Sequence, residues 1–182
     1  MDDKSLMTIA GSYFEKVPFE EFESACRKLE QSGDISFGGE EGATRRIYDA
    51  IELPRRATAG SAGYDFHMPF PAVFTPDKSV LIPTGVRVIL PRMTYLMCVP
   101  RSGLGFKYGM ALRNSTGIID SDYANSDNYG HIMARITTEE PFRLDAGDRF
   151  MQGIISLYFI TDGDSPISDD RNGGFGSTGG AS

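Results

Sequence analysis

From Pro54 onward the chain has no twelve-residue segment with a helical repeat. It has short apolar runs cut apart by turn residues. Val86-Arg87-Val88-Ile89-Leu90 puts residues 86, 88 and 90 on one face of a strand. Tyr95 to Val99 and Gly153 to Ile160 are apolar runs of strand length. Pro83, Pro91, Pro100 and Pro141 punctuate them, within a chain that holds 21 Gly and 10 Pro. Strands this short and this closely spaced bury their faces by stacking or closing, so the expected fold class is all-β, a jelly-roll-like β-barrel.

Residues 1–53 read as a helical N-terminal extension. Phe19, Phe22, Cys26 and Leu29 fall at helical spacing between Pro18 and Ser32. Pro18 suits the first turn, Glu20, Glu21 and Glu23 its positive end, Arg27 and Lys28 the negative end, and Gly33 the stop. Arg45 to Leu53 reads as a second short helix. The β-barrel is expected over 54–168. Residues 169–182 form a Gly-rich C-terminal arm with one aromatic and no core to join.

At 182 residues the chain is long enough for one domain with a real core. Its net charge of −7 argues against a general nucleic-acid binder. An acidic protein still binds an anionic small molecule where it concentrates arginine at one site. Cys26 and Cys98 have no partners at zinc-ligand spacing, and His67 and His131 are the only histidines. The acidic start and the lack of an 18-residue apolar stretch point to a cytoplasmic protein without a membrane span.

Several motifs fail on context. Gly174-Phe175-Gly176-Ser177-Thr178-Gly179 satisfies the dinucleotide-binding pattern, but only three residues follow it and no helix fits there. No Gly-Lys pair exists for a phosphate loop, and two histidines leave little for a Ser/His/Asp triad. His67 is expected to be structural.

Five islands rich in Gly, Arg, Ser and Asp remain. They are Ala59 to Asp65, Pro100 to Lys107, Asn114 to Tyr123, Gly147 to Gln152 and Arg171 to Gly179. Each alone is a turn. Together they supply what a phosphorylated nucleoside needs. Arg101, Ser102 and the Gly103 amide offer a fork and a nest for phosphate oxygens. Arg149 and Arg171 add positive charge, Phe175 closes over a flat base, Asn114 reads a base edge and Tyr123 packs on a sugar. Asp120 orients a water. Asp65 holds the hydration shell of Mg²⁺, which keeps waters and binds through few carboxylates.

The five islands, in this order, resemble the five motifs of the trimeric all-β dUTP diphosphatases (dUTPases), over residues 54 to 179. The leader around Phe14 to Phe22 and Ile47-Tyr48-Asp49 resembles that of a subgroup in Gram-positive bacteria and their phages. The resemblance implies a homotrimer of jelly-roll subunits with shared active sites, hydrolysing dUTP to dUMP and pyrophosphate with Mg²⁺. It implies Asp120 as the group that activates water. Asn114, with Gly117 and Ile119 of its hairpin, would recognise uracil, and Tyr123 would lie against deoxyribose. Arg101, Ser102, Gly103, Gln152, Ser177 and Thr178 would hold the triphosphate, with Gly176 beside them. Arg171 would reach the γ-phosphate and Phe175 would stack on uracil. Asp65 would support the metal through water. Arg149 is either a phosphate ligand or a structural arginine.

Two departures stand out. Residues 124–129 are inserted before Gly130, which makes Tyr129 a rival of Tyr123. The step from Arg171 to Phe175 is four residues where the family usually has five. Rival readings are a dCTP deaminase-like enzyme of the same fold and a nucleotide-switched regulator of a protein partner.

Overall fold

The computed structural model describes residues 9–33, 35 and 42–167. The leader begins with strand β1 (Tyr13–Lys16), then helix α1 (Phe19–Ser32) and helix α2 (Ala43–Ala50). Short strands follow: β2 (Arg55–Arg56), β3 (Tyr64–His67), β4 (Ala72–Phe74), β5 (Val80–Pro83), β6 (Val86–Ile89) and β7 (Thr94–Pro100). Helix α3 (Ser102–Tyr108) interrupts them. Strands β8 (Ala111–Leu112), β9 (Gly117–Asp120), β10 (Met133–Thr137), β11 (Phe142–Leu144) and β12 (Arg149–Leu157) complete the order.

Helix α1 forms as its sequence predicts. Pro18 sets the entry, and Phe22, Ala25, Cys26 and Leu29 form its buried stripe. Gly33 ends it in the left-handed conformation at φ 73°, with its N–H donating to Glu30 O at 3.1 Å. Its last turn holds no basic residue. Arg27 pairs instead with Glu23, at 3.3 Å across one helical turn. Helix α2 ends at Ala50, three residues short of the predicted Leu53. Ile51 turns extended there, at ψ 125°, and the chain leaves toward Pro54.

The leader is more than helical. Strand β1 pairs antiparallel with β6, Tyr13 opposite Ile89 and Lys16 opposite Val86. Val17, Phe22 and Cys26 form a small core with Ile47, Tyr48 and Ile51 against it. The Tyr48 hydroxyl donates to Val17 O at 2.6 Å and ties α2 to the end of β1.

Among the described residues the other strands form β5-β10-β8, β11-β4 and a five-stranded sheet in the order β2-β3-β12-β7-β9. Inward-facing Phe66, Phe70, Phe74, Ile82, Leu96, Ile132, Ile136 and Phe150 fill the space between sheets. This is the jelly-roll-like all-β architecture. Its ladders are separate, so hydrogen bonding does not close them into one barrel.

Candidate active site

The five-stranded sheet positions most of the predicted residues. In register, Gln152 of β12 lies opposite Asp65 of β3 on one side and Val99 of β7 on the other. Arg101 follows directly after β7. Asp65, Arg101, Arg149 and Gln152 therefore collect at one end of the sheet. Asp65 is buried, and each of its oxygens faces a guanidinium. Arg101 Nε is 3.4 Å from Oδ1, and Arg149 Nη1 donates to Oδ2 at 3.1 Å. The carboxylate holds two arginines that would otherwise repel each other, and both stay partly exposed at this end of the sheet. Arg149 is paired with Asp65, as Arg101 is.

Ser102 and Gly103 open α3, a helix the sequence reading took for a turn. Two glycines in seven residues hid it. The signals that could have found it are Pro100 just before and Gly109 just after, the latter left-handed at φ 62°. The first amides of a helix have no partner within it, so those of Ser102 and Gly103 suit anion oxygens.

Asn114 stands in the turn between β8 and β9, with Ser115 next to it at φ 63°. Gly117 lies opposite Cys98, and a Cβ added to it would stand 3.2 Å from the Cys98 Cβ, so the hairpin lies tight on β7. Asn114, Gly117 and Ile119 line a cavity of about 10 Å³ with Cys98, Leu112 and Met151. That is room for a single water, so a base has to sit at the mouth of the hairpin rather than behind it.

Asp120 ends β9 opposite Tyr95, at the far end of β7 from Arg101. It lines an open groove of about 1170 Å³ with Arg92, Met93, Ile118, Asp122, Tyr158 and Ile160. The sequence reading did not single out Arg92, which brings a cation to the same groove.

Tyr123 departs from expectation. It is 4% exposed and belongs to the core, and its hydroxyl donates to His131 O at 3.2 Å. An open ring face for a sugar is what the sequence reading required of it, and the structure packs that ring away. Tyr129, its rival, is 51% exposed. Arg171, Phe175, Gly176, Ser177 and Thr178 lie outside the described residues.

His67 is structural in position, on β3 beside Asp65, and burial pushes its pKa below the ordinary value. Among the described residues no three His, Cys, Asp or Glu side chains converge as a metal site. Asp65 fits support of a hydrated Mg²⁺ and would hold it through water, because its carboxylate has lone pairs left beside the two arginines.

Known proteins bear on this geometry. A family model described as dUTPase matches residues 49–179. A deoxyuridine 5'-triphosphate nucleotidohydrolase of Lactococcus lactis is 37% identical over 145 residues, 78% of this chain and 97% of the relative. One from Chromobacterium violaceum is 40% identical over 138 residues, 70% of this chain and 87% of its own length. Among solved structures, a dUTPase from Streptococcus mutans matches with a TM-score of 0.55 and 38% identity, covering 61% of this chain and 89% of that one. A dUTPase of Staphylococcus bacteriophage 80alpha, solved with dUPNHPP, shares the fold with a TM-score of 0.55 at 21% identity, over 71% of this chain and 92% of that one.

Proposed function

The chain belongs to the dUTPase family and hydrolyses dUTP to dUMP, and from that premise we propose that each active site is assembled from separate copies of the chain in a homotrimer. The observation that carries this reading is the length of β7. Asp120 stands opposite Tyr95, six residues before Arg101. A strand rises about 3.3 Å per residue, so roughly 20 Å separates the two in one copy. A water held by Asp120 has to stand within about 3.5 Å of a phosphorus whose oxygens Arg101 grips. One copy cannot span that gap, and a second copy supplies the missing half. Exposed Ile118, Leu157, Phe159 and Ile160 near the Asp120 groove provide an apolar surface for such a contact.

In this reading Asp120 of one copy takes a proton from the attacking water. The water oxygen bonds to the α-phosphorus, the bond to the bridging oxygen breaks, and pyrophosphate leaves. Arg101, the Ser102 and Gly103 amides and Gln152 hold the triphosphate of the same site from a neighbouring copy, with Asp65 and Arg149 fixing the Arg101 fork. Asn114, Gly117 and Ile119 read the uracil edge. Arg171, Phe175, Gly176, Ser177 and Thr178 of the arm complete the phosphate and base contacts. Mg²⁺, where it accompanies the phosphates, neutralises charge on the leaving pyrophosphate. Two free thiols, Cys26 and Cys98, fit a cytoplasmic address.

The test mixes two inactive chains. Arg101→Ala and Asp120→Asn are each expected to lose turnover of dUTP. Unfolded together and refolded as mixed trimers, they should recover about a quarter of wild-type activity, since a site needs Arg101 from one chain and Asp120 from its neighbour. No recovery in trimers verified as mixed would refute the shared site. Release of pyrophosphate from all four canonical dNTPs as fast as from dUTP would refute the assignment of Asn114, Gly117 and Ile119 to uracil.

A further inference from the structure

The leader and the insertion at 124–129 have no task in the reaction as described, and they are joined at two residues: Arg87, which pairs with Glu15 and donates to Tyr129 O at 3.3 Å, and His131. His131 is fully buried. Its Nε2 accepts the Gly85 N–H at 3.0 Å. The tautomer that fits carries its proton on Nδ1, which donates to Glu21 Oε1 of α1 at 3.2 Å, across 110 residues of sequence. The Phe22 ring of the same helix stands 6.3 Å from the imidazole.

The backbone of His131 holds the insertion. Its carbonyl accepts the Tyr123 hydroxyl and Asn128 Nδ2, each at 3.2 Å, and its N–H donates to Asn128 O at 3.0 Å. Asn128 Nδ2 also donates to Tyr123 Oη at 2.9 Å, and the Gly130 N–H donates to Asn128 Oδ1 at 3.2 Å. Ser126 Oγ donates to Tyr123 O at 2.7 Å. The path is continuous: α1, the His131 ring, its carbonyl, then Tyr123, three residues beyond Asp120.

We propose that Glu21 and His131 are a positioning pair, by which the leader helix holds the inserted loop and Tyr123, and thereby sets the direction in which Asp120 presents its carboxylate. This rests on the assignment of Asp120 as the group that activates water. A buried imidazole satisfied at both nitrogens has one orientation. Removing the Glu21 acceptor leaves a buried N–H unpaired, and the neighbouring loop is the part free to rearrange. Helix α1 keeps its packing through Phe22, Ala25, Cys26 and Leu29 when Glu21 is shortened, because Glu21 lies outside that stripe.

Steady-state kinetics with dUTP on Glu21→Ala, Glu21→Gln, Asn128→Ala, the Glu21→Ala/Asn128→Ala double variant and Asp120→Asn test the proposal, well below each thermal transition. Glu21→Ala is expected to lower kcat by roughly 5- to 20-fold with KM within about threefold, the split of a group that acts on the chemical step. Glu21→Gln keeps an acceptor for Nδ1–H and should stay within about twofold of wild type. The double variant should lose about as much as the worse single one, because both break one path. Glu21→Ala or Asn128→Ala with unchanged kcat, even at a lowered thermal midpoint, would reduce the pair to a structural brace. Additive losses in the double variant would break the path. Asp120→Asn separates the two failures. If it retains turnover, the Asp120 assignment falls. If it loses turnover while Glu21→Ala does not, only the positioning pair falls.

Discussion

Arg101 Nε stands 3.4 Å from Asp65 Oδ1, and the carboxylate's other oxygen is held by Arg149. A carboxylate first read as metal support is thus the post on which Arg101, the arginine proposed to grip phosphate, is hung. Asp65→Asn keeps the volume and removes the charge that reconciles two guanidiniums. We expect kcat/KM for dUTP to fall by roughly tenfold, about 1.4 kcal/mol, mostly as a higher KM. Steady-state kinetics checks it. An unchanged KM would confine the pair to holding β3 against β12.

Gly63 precedes β3 with no room for a side chain. A Cβ there would overlap the Gln152 amide oxygen and stand 3.1 Å from its Cδ. The nearest obstacle is the far end of a flexible side chain, which swings away, while the Gln152 Cβ at 3.2 Å has to give by a few tenths of an ångström, so the fold survives. Gly63→Ala is expected to cost no more than about 1 kcal/mol in urea unfolding while lowering kcat/KM to the level of Gln152→Ala. Normal kinetics in Gly63→Ala would remove Gln152 from the phosphate contacts.

Gly130 closes the inserted loop under harder constraints. It sits at φ 73°, and an added Cβ would meet Ala124 Cα at 2.7 Å and Tyr123 O at 3.1 Å. Both obstacles are backbone, so the loop itself has to move. Gly130→Ala is expected to destabilise the fold by about 1–3 kcal/mol and to lower turnover more than Gly63→Ala does. Matched unfolding curves and kinetics for the two variants make the comparison.

Burial pushes both thiols, Cys26 and Cys98, up to about 12. The thiolate is the reactive form, so at pH 8 an accessible cysteine is substantially ionised and these two are not. A disulfide reagent should find almost no thiol in the native protein and two per chain in denaturant. Over pH 7 to 9 the native rate should stay low, because the whole range lies below the folded pKa. Rapid labelling of one thiol without unfolding would show that its wall opens.

Much of this was legible in the residues. The apolar stripe of Phe22, Cys26 and Leu29 became the buried face of α1 because a 3.6-residue repeat has one way to hide. Val86 and Val88 face inward on β6, as alternation requires. The five islands carry the family resemblance, because Gly, Arg, Ser and Asp in turns have little other reason to cluster. Helix α3 was missed because two glycines within seven residues lower helix propensity, and only its flanks betray it.

Local periodicity and residue type thus carry the family, the leader helix α1 and the inward face of β6, since these depend on short stretches of chain. Tertiary structure decided the distribution. It sent Arg101 and Asp120 to opposite ends of β7, put Asp65 between two arginines, sank Tyr123 into the core and seated His131 against Glu21. Each of these joins residues tens of positions apart or compares two ends of a rigid strand. Register and packing set such relations, and no local pattern encodes them.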